Sequence, residues 1–182
     1  MKHPFPKSWW VQPPMVLAGC YPGSQDPDEA DRKLSALLDA GIRCIINLQE
    51  PDETGVHGMP FVSYRSQLMD LANARGIDIR FEAFAVPDYD IPTPDLMIDI
   101  LDAIDSAVKD GHPVYVHCWG GHGRTATAIG CWLVRHGSSG DEALSRIRQL
   151  REHDSSLRAM ESPQSSSQRR LVLDWHMHER KG

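Results

Sequence analysis

The sequence has no long apolar run and no secretory leader pattern. No stretch of about 18 apolar residues occurs, so no membrane-spanning helix is predicted. Residues 1–11 lack the apolar segment and the cleavage site of a secretory signal. We therefore expect a cytoplasmic protein with no membrane partner.

An excess of positive charge is also missing. The chain carries 19 basic and 25 acidic residues, which gives a net charge of -6. Nucleic acids and anionic membrane surfaces attract proteins through an excess of positive charge. The composition therefore predicts no nucleic-acid partner.

The sequence also has no closely paired cysteines. The four cysteines stand at positions 20, 44, 118 and 131, with no Cys-x-x-Cys pair. This spacing does not predict a zinc site, and a chain of 182 residues does not need a disulfide framework. Cys44 and Cys131 lie within apolar runs and are expected to pack in the core. We expect no metal and no other cofactor.

Short apolar runs alternate with helical patterns along the chain, which is typical of an α/β fold. The predicted strands are 15–18, 43–48, 77–85 and 113–117. The predicted helices are 27–40, 64–74, 93–110, 126–135, one after the capping sequence 139–142, and one that starts at Pro163. We predict a single domain, 1–182 with its core at about 15–178, built on a central, mostly parallel sheet of four or five strands flanked by helices.

The strand predicted at 113–117 runs directly into a glycine-rich loop that precedes a helix. Glycines let the backbone close around an anion, and the backbone N–H groups and the helix dipole both attract phosphate. The same field stabilises a thiolate at Cys118, and the guanidinium fork of Arg124 can hold two phosphate oxygens. The predicted phosphate-binding loop consists of His117, Cys118, Trp119, Gly120, Gly121, His122, Gly123, Arg124 and Thr125.

The motif His117-Cys118-x5-Arg124-Thr125 resembles the signature of the protein tyrosine phosphatase superfamily, in particular its small dual-specificity-like members. The resemblance implies that Cys118 is the nucleophile that forms a cysteinyl-phosphate and that Arg124 clamps the phosphate. It further implies that Thr125 assists departure of the thiolate and that His117 tunes the cysteine from behind.

Members of this superfamily supply a general acid from a mobile loop, commonly an aspartate after a proline. Asp88 follows Pro87 about thirty residues before Cys118 and matches best, with Asp90 as the alternative. An acid is required because an alkoxide or phenolate departs more easily when it is protonated. Without the downstream loop, both aspartates would be interpreted as ordinary turn residues.

Residues 164–168 resemble the Gln-Thr-x-x-Gln element of larger tyrosine-specific relatives. Gln164 is therefore the candidate for positioning the hydrolytic water. The alternative is that Gln164 and Gln168 occupy solvated first turns of the last helix.

Three further residues bear on the pocket, and the sequence leaves the role of each open. Trp119 could stack on a phenyl ring or pack under a neighbouring loop, and His122 could add charge toward a polyphosphorylated ligand or face water. Cys20 is a possible partner for oxidised Cys118.

The resemblance implies metal-independent hydrolysis of phosphate monoesters in a phosphorylated protein or a small phosphorylated substrate. Protein tyrosine or dual-specificity phosphatase activity is the leading expectation. The alternatives are a phosphoinositide or inositol-phosphate phosphatase and, in another class, a catalytically silent phosphate-binding module.

Overall fold

A five-stranded sheet forms the centre of the molecule, in a computed structural model that describes residues 1–55 and 58–179. Strands β2, β5, β3 and β4 are parallel to one another, and β1 pairs with β2 in the antiparallel direction. The predicted α/β fold with a mostly parallel sheet is confirmed. The strands are β1 (Ser8–Gln12), β2 (Val16–Gly19), β3 (Cys44–Asn47), β4 (Arg80–Ala83) and β5 (Val114–His117), in the spatial order β1-β2-β5-β3-β4.

Seven α-helices lie in the described residues and flank the sheet. Two of the predicted caps are present: the side chain of Asp26 accepts from the Asp28 amide, and Ser139 forms a capping box with Glu142. No described helix has the length and apolar character needed to cross a bilayer. The helices are α1 (Pro27–Asp39), α2 (Arg65–Ala74), α3 (Pro94–Lys109), α4 (Arg124–Arg135), α5 (Gly140–Arg151), α6 (Ser155–Arg158) and α7 (Ser166–Asp174).

Two apolar clusters cover the two faces of the sheet. Side chains of α3, α4, α5 and α7 pack on one face, and side chains of α1 and α2 pack on the other. In β5, Val114 and Val116 point into the first cluster and Tyr115 into the second, as the period of two in a strand requires. Cys44 and Cys131 are fully buried in the first cluster, as expected.

Strand β1 and the short helix α6 are absent from the sequence-based prediction. Trp9 and Trp10 of β1 are buried on opposite sides of the sheet, one in each cluster. A strand covered on both faces shows no polar alternation, so its sequence lacks the usual strand pattern. The predicted strand 77–85 is also longer than β4, and α7 starts three residues after Pro163.

The carboxyl ends of the parallel strands place four loops at one edge of the sheet. His117, the last residue of β5, is level with Gly19 of β2 and with Asn47 of β3. The loops that follow β2, β3, β4 and β5 therefore converge beside Cys118. This edge is where open α/β sheets bind ligands.

Candidate active site

The predicted phosphate-binding loop lies between β5 and α4 and packs against the end of β2. The Tyr21 amide donates to the Trp119 carbonyl at 2.8 Å. Gly121 has a φ of +74°, and a Cβ at this position would lie 2.7 Å from the carbonyl carbon of Gly19. Only glycine fits here, because the conformation is left-handed and the neighbouring backbone is too close for a side chain.

Cys118 is buried at the base of a cavity of about 380 Å³. The cavity walls include Trp119, Gly120, His122 and Gly123 of the loop. Asp88 and Gln164, which the sequence analysis selected from distant segments, lie in the walls as well. The structure thus brings the predicted nucleophile, acid and water-positioning residue to one cavity, although their roles stay predictions.

His117 supports the loop as a neutral imidazole. Burial lowers its pKa to about 4, so the ring carries no charge at pH 7. Its Nδ1 lies 3.1 Å from the Cys118 carbonyl, which can only accept, so Nδ1 is the donor and Nε2 accepts from the Tyr64 hydroxyl at 2.5 Å. His117 therefore holds the backbone of Cys118 in place and supplies no positive charge to it at pH 7.

Thr125 is fully buried behind the loop. Its hydroxyl donates to the Gly19 carbonyl at 3.4 Å, which is long for a hydroxyl bond. The side chain does not contribute to the cavity wall in the described residues. Its proposed assistance to the departing thiolate would require the hydroxyl to exchange this weak partner for Cys118.

Arg124 is held in place by a carboxylate that the sequence analysis missed. Its Nη1 and Nη2 contact the Glu53 oxygens Oε2 and Oε1 at 2.5 and 2.8 Å, and Nη1 also donates to the Val86 carbonyl at 2.9 Å. Although burial acts to raise it, the bonds from Arg124 lower the pKa of Glu53 and keep it ionised. The paired guanidinium is buried and fixed before any phosphate arrives.

The remaining donors of Arg124 define what a phosphate can use. Its Nε has no hydrogen-bond partner among the described residues, and its Nη2 lies 3.0 Å from the Asp88 carboxylate. A phosphate above Cys118 could therefore accept a hydrogen bond from the Nε–H group and would compete with Asp88 for Nη2. The predicted phosphate clamp, Arg124, thus contacts the predicted acid, Asp88, through Nη2.

The environments of Asp88 and Asp90 differ. Asp88 lies in the cavity wall, whereas the carboxylate of Asp90 accepts from the Ile91 amide at 2.8 Å within its own turn. Tyr89 between them has a φ of 61°, an unusual value for a residue with a side chain. This turn points the first aspartate at the cavity, which favours Asp88 over Asp90 as the acid.

Gln164 and Gln168 are not two solvated helix residues. Gln164 precedes α7 and lines the cavity, while Gln168 is fully buried. The Gln168 amide oxygen accepts from the backbone of Gln164 and Ser165 at 3.1 Å each, and its NH₂ donates to the Asp90 carbonyl at 3.0 Å. Gln168 thus connects the segment that carries Gln164 to the loop that carries the acid.

His122 neither adds charge nor faces water. It is buried, and Arg151 donates from Nη2 to its Nδ1 at 2.6 Å. Burial and the positive charges of Arg151 and Lys7 lower the pKa of His122 to about 4. Because arginine only donates, the proton of the neutral ring must be on Nε2, which leaves one N–H for the cavity that His122 lines.

Replacing Arg151 with methionine is therefore expected to release His122. The pKa of His122 should rise toward its ordinary value because a neighbouring positive charge is lost, and kcat/KM for para-nitrophenyl phosphate should fall about three- to tenfold. Nitrogen NMR of the histidine ring against pH reports both the tautomer and the pKa. The exposed Arg146 of the same helix supplies the control, Arg146→Met; an unchanged His122 titration in Arg151→Met would contradict the interpretation.

Trp119 packs against a neighbouring aromatic residue and also lines the cavity. Its ring packs edge to face on Phe61 at a centroid distance of 5.9 Å, and it also lines the cavity. The contact with Phe61 holds the indole at the cavity wall, where it can contact a bound substrate.

The fold and the arrangement of the loop, Arg124 and Asp88 match the protein tyrosine phosphatase superfamily. Residues 22–138 match the sequence model of the Tc-R-P family, described as "Polymorphic toxin system, DSP-PTPase phosphatase". The chain belongs to this family. The resemblance seen in the sequence is thereby confirmed.

Two relatives share part of their length with the chain. Protein tyrosine phosphatase domain-containing protein 1 from Mus musculus is 32% identical over 120 residues, which cover 65% of this chain and 16% of that protein. Phosphatidylglycerophosphate phosphatase PTPMT1 from Arabidopsis thaliana is 29% identical over 145 residues, which cover 79% and 37%. The chain therefore spans well under half of the length of these relatives.

Solved structures of the superfamily match over almost the whole chain. Tk-PTP in its active form has a TM-score of 0.66 at 23% identity, covering 97% of this chain and 99% of that one. PTPMT1 in complex with PI(5)P has a TM-score of 0.67 at 21% identity, covering 94% and 95%. At such identities the likeness supports the common fold.

Proposed function

We propose that this chain hydrolyses phosphate monoesters without a metal, through a cysteinyl-phosphate on Cys118. The observation that carries the proposal is the placement of Cys118 and Asp88 in one cavity, with the preorganised Arg124 paired with Asp88. A thiolate, a phosphate clamp and a proton donor are the three groups that such a reaction needs.

In the first step, the Cys118 thiolate attacks phosphorus and the bond to the leaving oxygen breaks. Asp88 gives its proton to that oxygen, so the alcohol or phenol departs neutral. The loop amides and Arg124 hold the equatorial oxygens throughout the transfer.

In the second step, water attacks phosphorus and the sulfur–phosphorus bond breaks. Asp88, now a carboxylate, takes a proton from the water, and the thiolate and inorganic phosphate are released. Gln164 lies in the cavity wall, where its amide can orient that water.

Two substrate classes have separate support. The aromatic side chains of Trp119 and Tyr89 in the cavity wall favour a phosphorylated phenol, as in protein tyrosine or dual-specificity phosphatase activity. Two lysines in the same wall, Lys7 and Lys33, favour a phosphoinositide or inositol phosphate. The solved structure of PTPMT1 in complex with PI(5)P supports the second class at the level of analogy.

A burst experiment tests the mechanism. Wild-type protein mixed with para-nitrophenyl phosphate in EDTA should release one equivalent of nitrophenolate rapidly and then turn over more slowly, provided that hydrolysis of the intermediate limits the rate. Acid quenching should trap phosphate on Cys118, detectable by peptide mass spectrometry. Turnover that EDTA abolishes would exclude the metal-free route, and a well-folded protein without turnover would favour the phosphate-binding module.

A further inference from the structure

Lys7 is fixed in an unusual backbone conformation beside the cavity. Its φ is 62°, a left-handed value that a residue with a side chain rarely adopts. The conformation is held from both sides, because the Lys7 amide donates to the Asp154 carboxylate at 2.9 Å and its carbonyl accepts from the Cys20 amide at 3.2 Å. Asp154 is itself fixed as the N-cap of α6.

Lys33 reaches the same cavity from helix α1. Its ammonium pairs with Glu29 one turn earlier at 2.7 Å, and its side chain is largely covered. Lys7 and Lys33 both line the cavity that has Cys118 at its base. The N-terminal strand segment and the first helix therefore each contribute one positive charge to its wall.

The two lysines share the cavity wall with Cys20. Burial raises the pKa of Cys20 to about 11, while the charges of Lys33 and Lys7 act to lower it and that of Cys118 acts to raise it. Lys7 also acts on the pKa of His122 in the phosphate loop.

Lys7 and Lys33 are separate from the groups that would hold the reacting phosphate. That phosphate has the loop amides and Arg124, whose charge is opposed by Glu53 and Asp88. Glu29 pairs with Lys33, whereas Lys7 forms no salt bridge within the described residues. An ammonium group without an ion-pair partner in the cavity wall attracts an anion that the phosphate loop does not hold.

We propose that Lys7 and Lys33 form a subsite for a second phosphate, so that preferred substrates carry two phosphate groups on one small molecule. The inference rests on the proposed hydrolase function and specifies its substrate class. A cavity of about 380 Å³ is of the size that holds a small ligand, and it contains both the subsite and the phosphate loop. A compact phosphorylated polyol, free or as a lipid headgroup, matches this arrangement.

Inhibition of para-nitrophenyl phosphate hydrolysis tests the subsite. Inositol hexakisphosphate is the probe because any phosphate that it places in the loop has other phosphates on neighbouring ring carbons. Inorganic phosphate is the reference, since it can occupy only one phosphate site at a time. In the wild type, the inhibition constant of inorganic phosphate divided by that of the hexakisphosphate should exceed one, because the hexakisphosphate binds more tightly. This ratio should fall about tenfold in Lys7→Gly and in Lys33→Ala, since each loses a charged contact.

The choice of variants separates binding from folding. Glycine accepts the left-handed conformation of residue 7, so Lys7→Gly removes the ammonium without adding backbone strain. Lys109→Ala at the end of α3 removes the same charge at a distance and should leave the ratio unchanged.

The outcomes distinguish the two proposals. A ratio that stays constant in both lysine variants, with turnover intact, overturns the subsite and leaves the hydrolase standing. Wild-type protein without turnover overturns the hydrolase, and calorimetric binding of the hexakisphosphate then decides the subsite alone. Lysine effects confined to a doubly phosphorylated peptide would overturn the small-molecule substrate.

A second arm distinguishes the two sources of the polyol. Phosphate release from a soluble inositol bisphosphate is compared with release from PI(5)P in phosphatidylcholine vesicles. Whichever is faster identifies the source, and in either case the rate must depend on Lys7.

Discussion

Cys118→Ser is expected to lose turnover of para-nitrophenyl phosphate by about 10⁴-fold or more, with EDTA present throughout. A serine hydroxyl is a far weaker nucleophile than the thiolate that the proposed mechanism requires. The backbone donors and Arg124 remain, so calorimetry should still detect phosphate binding. The change therefore separates chemistry from recognition.

Cys20→Ser is the matched control for this variant. It makes the same atomic change in the wall of the same cavity, on a thiol that burial keeps protonated with a pKa of about 11. We expect turnover to persist. Residual activity in Cys118→Ser that is comparable with the wild type would remove Cys118 from the mechanism.

Asp88→Asn is expected to lower kcat by about 10²-fold or more on substrates with poor leaving groups, such as phenyl phosphate. Asparagine keeps the shape and can still approach Arg124, but it has no proton to give. The descending limb of the pH profile, in which activity falls as the acid loses its proton, should disappear. Stopped assays across pH with both phenyl and para-nitrophenyl phosphate measure these effects.

Asp90→Asn provides the comparison for the acid. Its side chain accepts only within its own turn, so the variant should keep the limb and most of the activity. If the descending limb disappears in Asp90→Asn and persists in Asp88→Asn, Asp90 is the acid and the assignment to Asp88 is wrong.

The parts of the site that the sequence predicted are contiguous or follow a local pattern. The phosphate loop occupies nine consecutive positions between a strand and a helix, so its composition and its geometry appear together. Asp88 is found because a proline precedes it and because the loop explains why an acid is needed. Fold class follows in the same way from local alternation of strands and helices.

The partners of these residues could not be predicted, since they depend on which loops meet. Glu53 lies in a polar loop with other acids, and only the convergence of the β3 and β5 loops selects it as the partner of Arg124. Arg151 of α5 resembles its exposed neighbours in sequence, yet it is buried against His122. A buried guanidinium requires a partner, but the sequence alone does not say where that partner is.

The link that Gln168 makes between α7 and the acid loop bears on how this enzyme class can diversify. The segment that matches the family, 22–138, contains the proposed nucleophile, clamp and acid, whereas Lys7 precedes it and Gln168 follows it. The proposed reaction chemistry thus lies in the middle of the chain, and the groups proposed to contact the substrate and to hold the acid loop lie on either side of it. Exchange of the flanks between relatives would be a route to new selectivity that leaves the reaction itself intact.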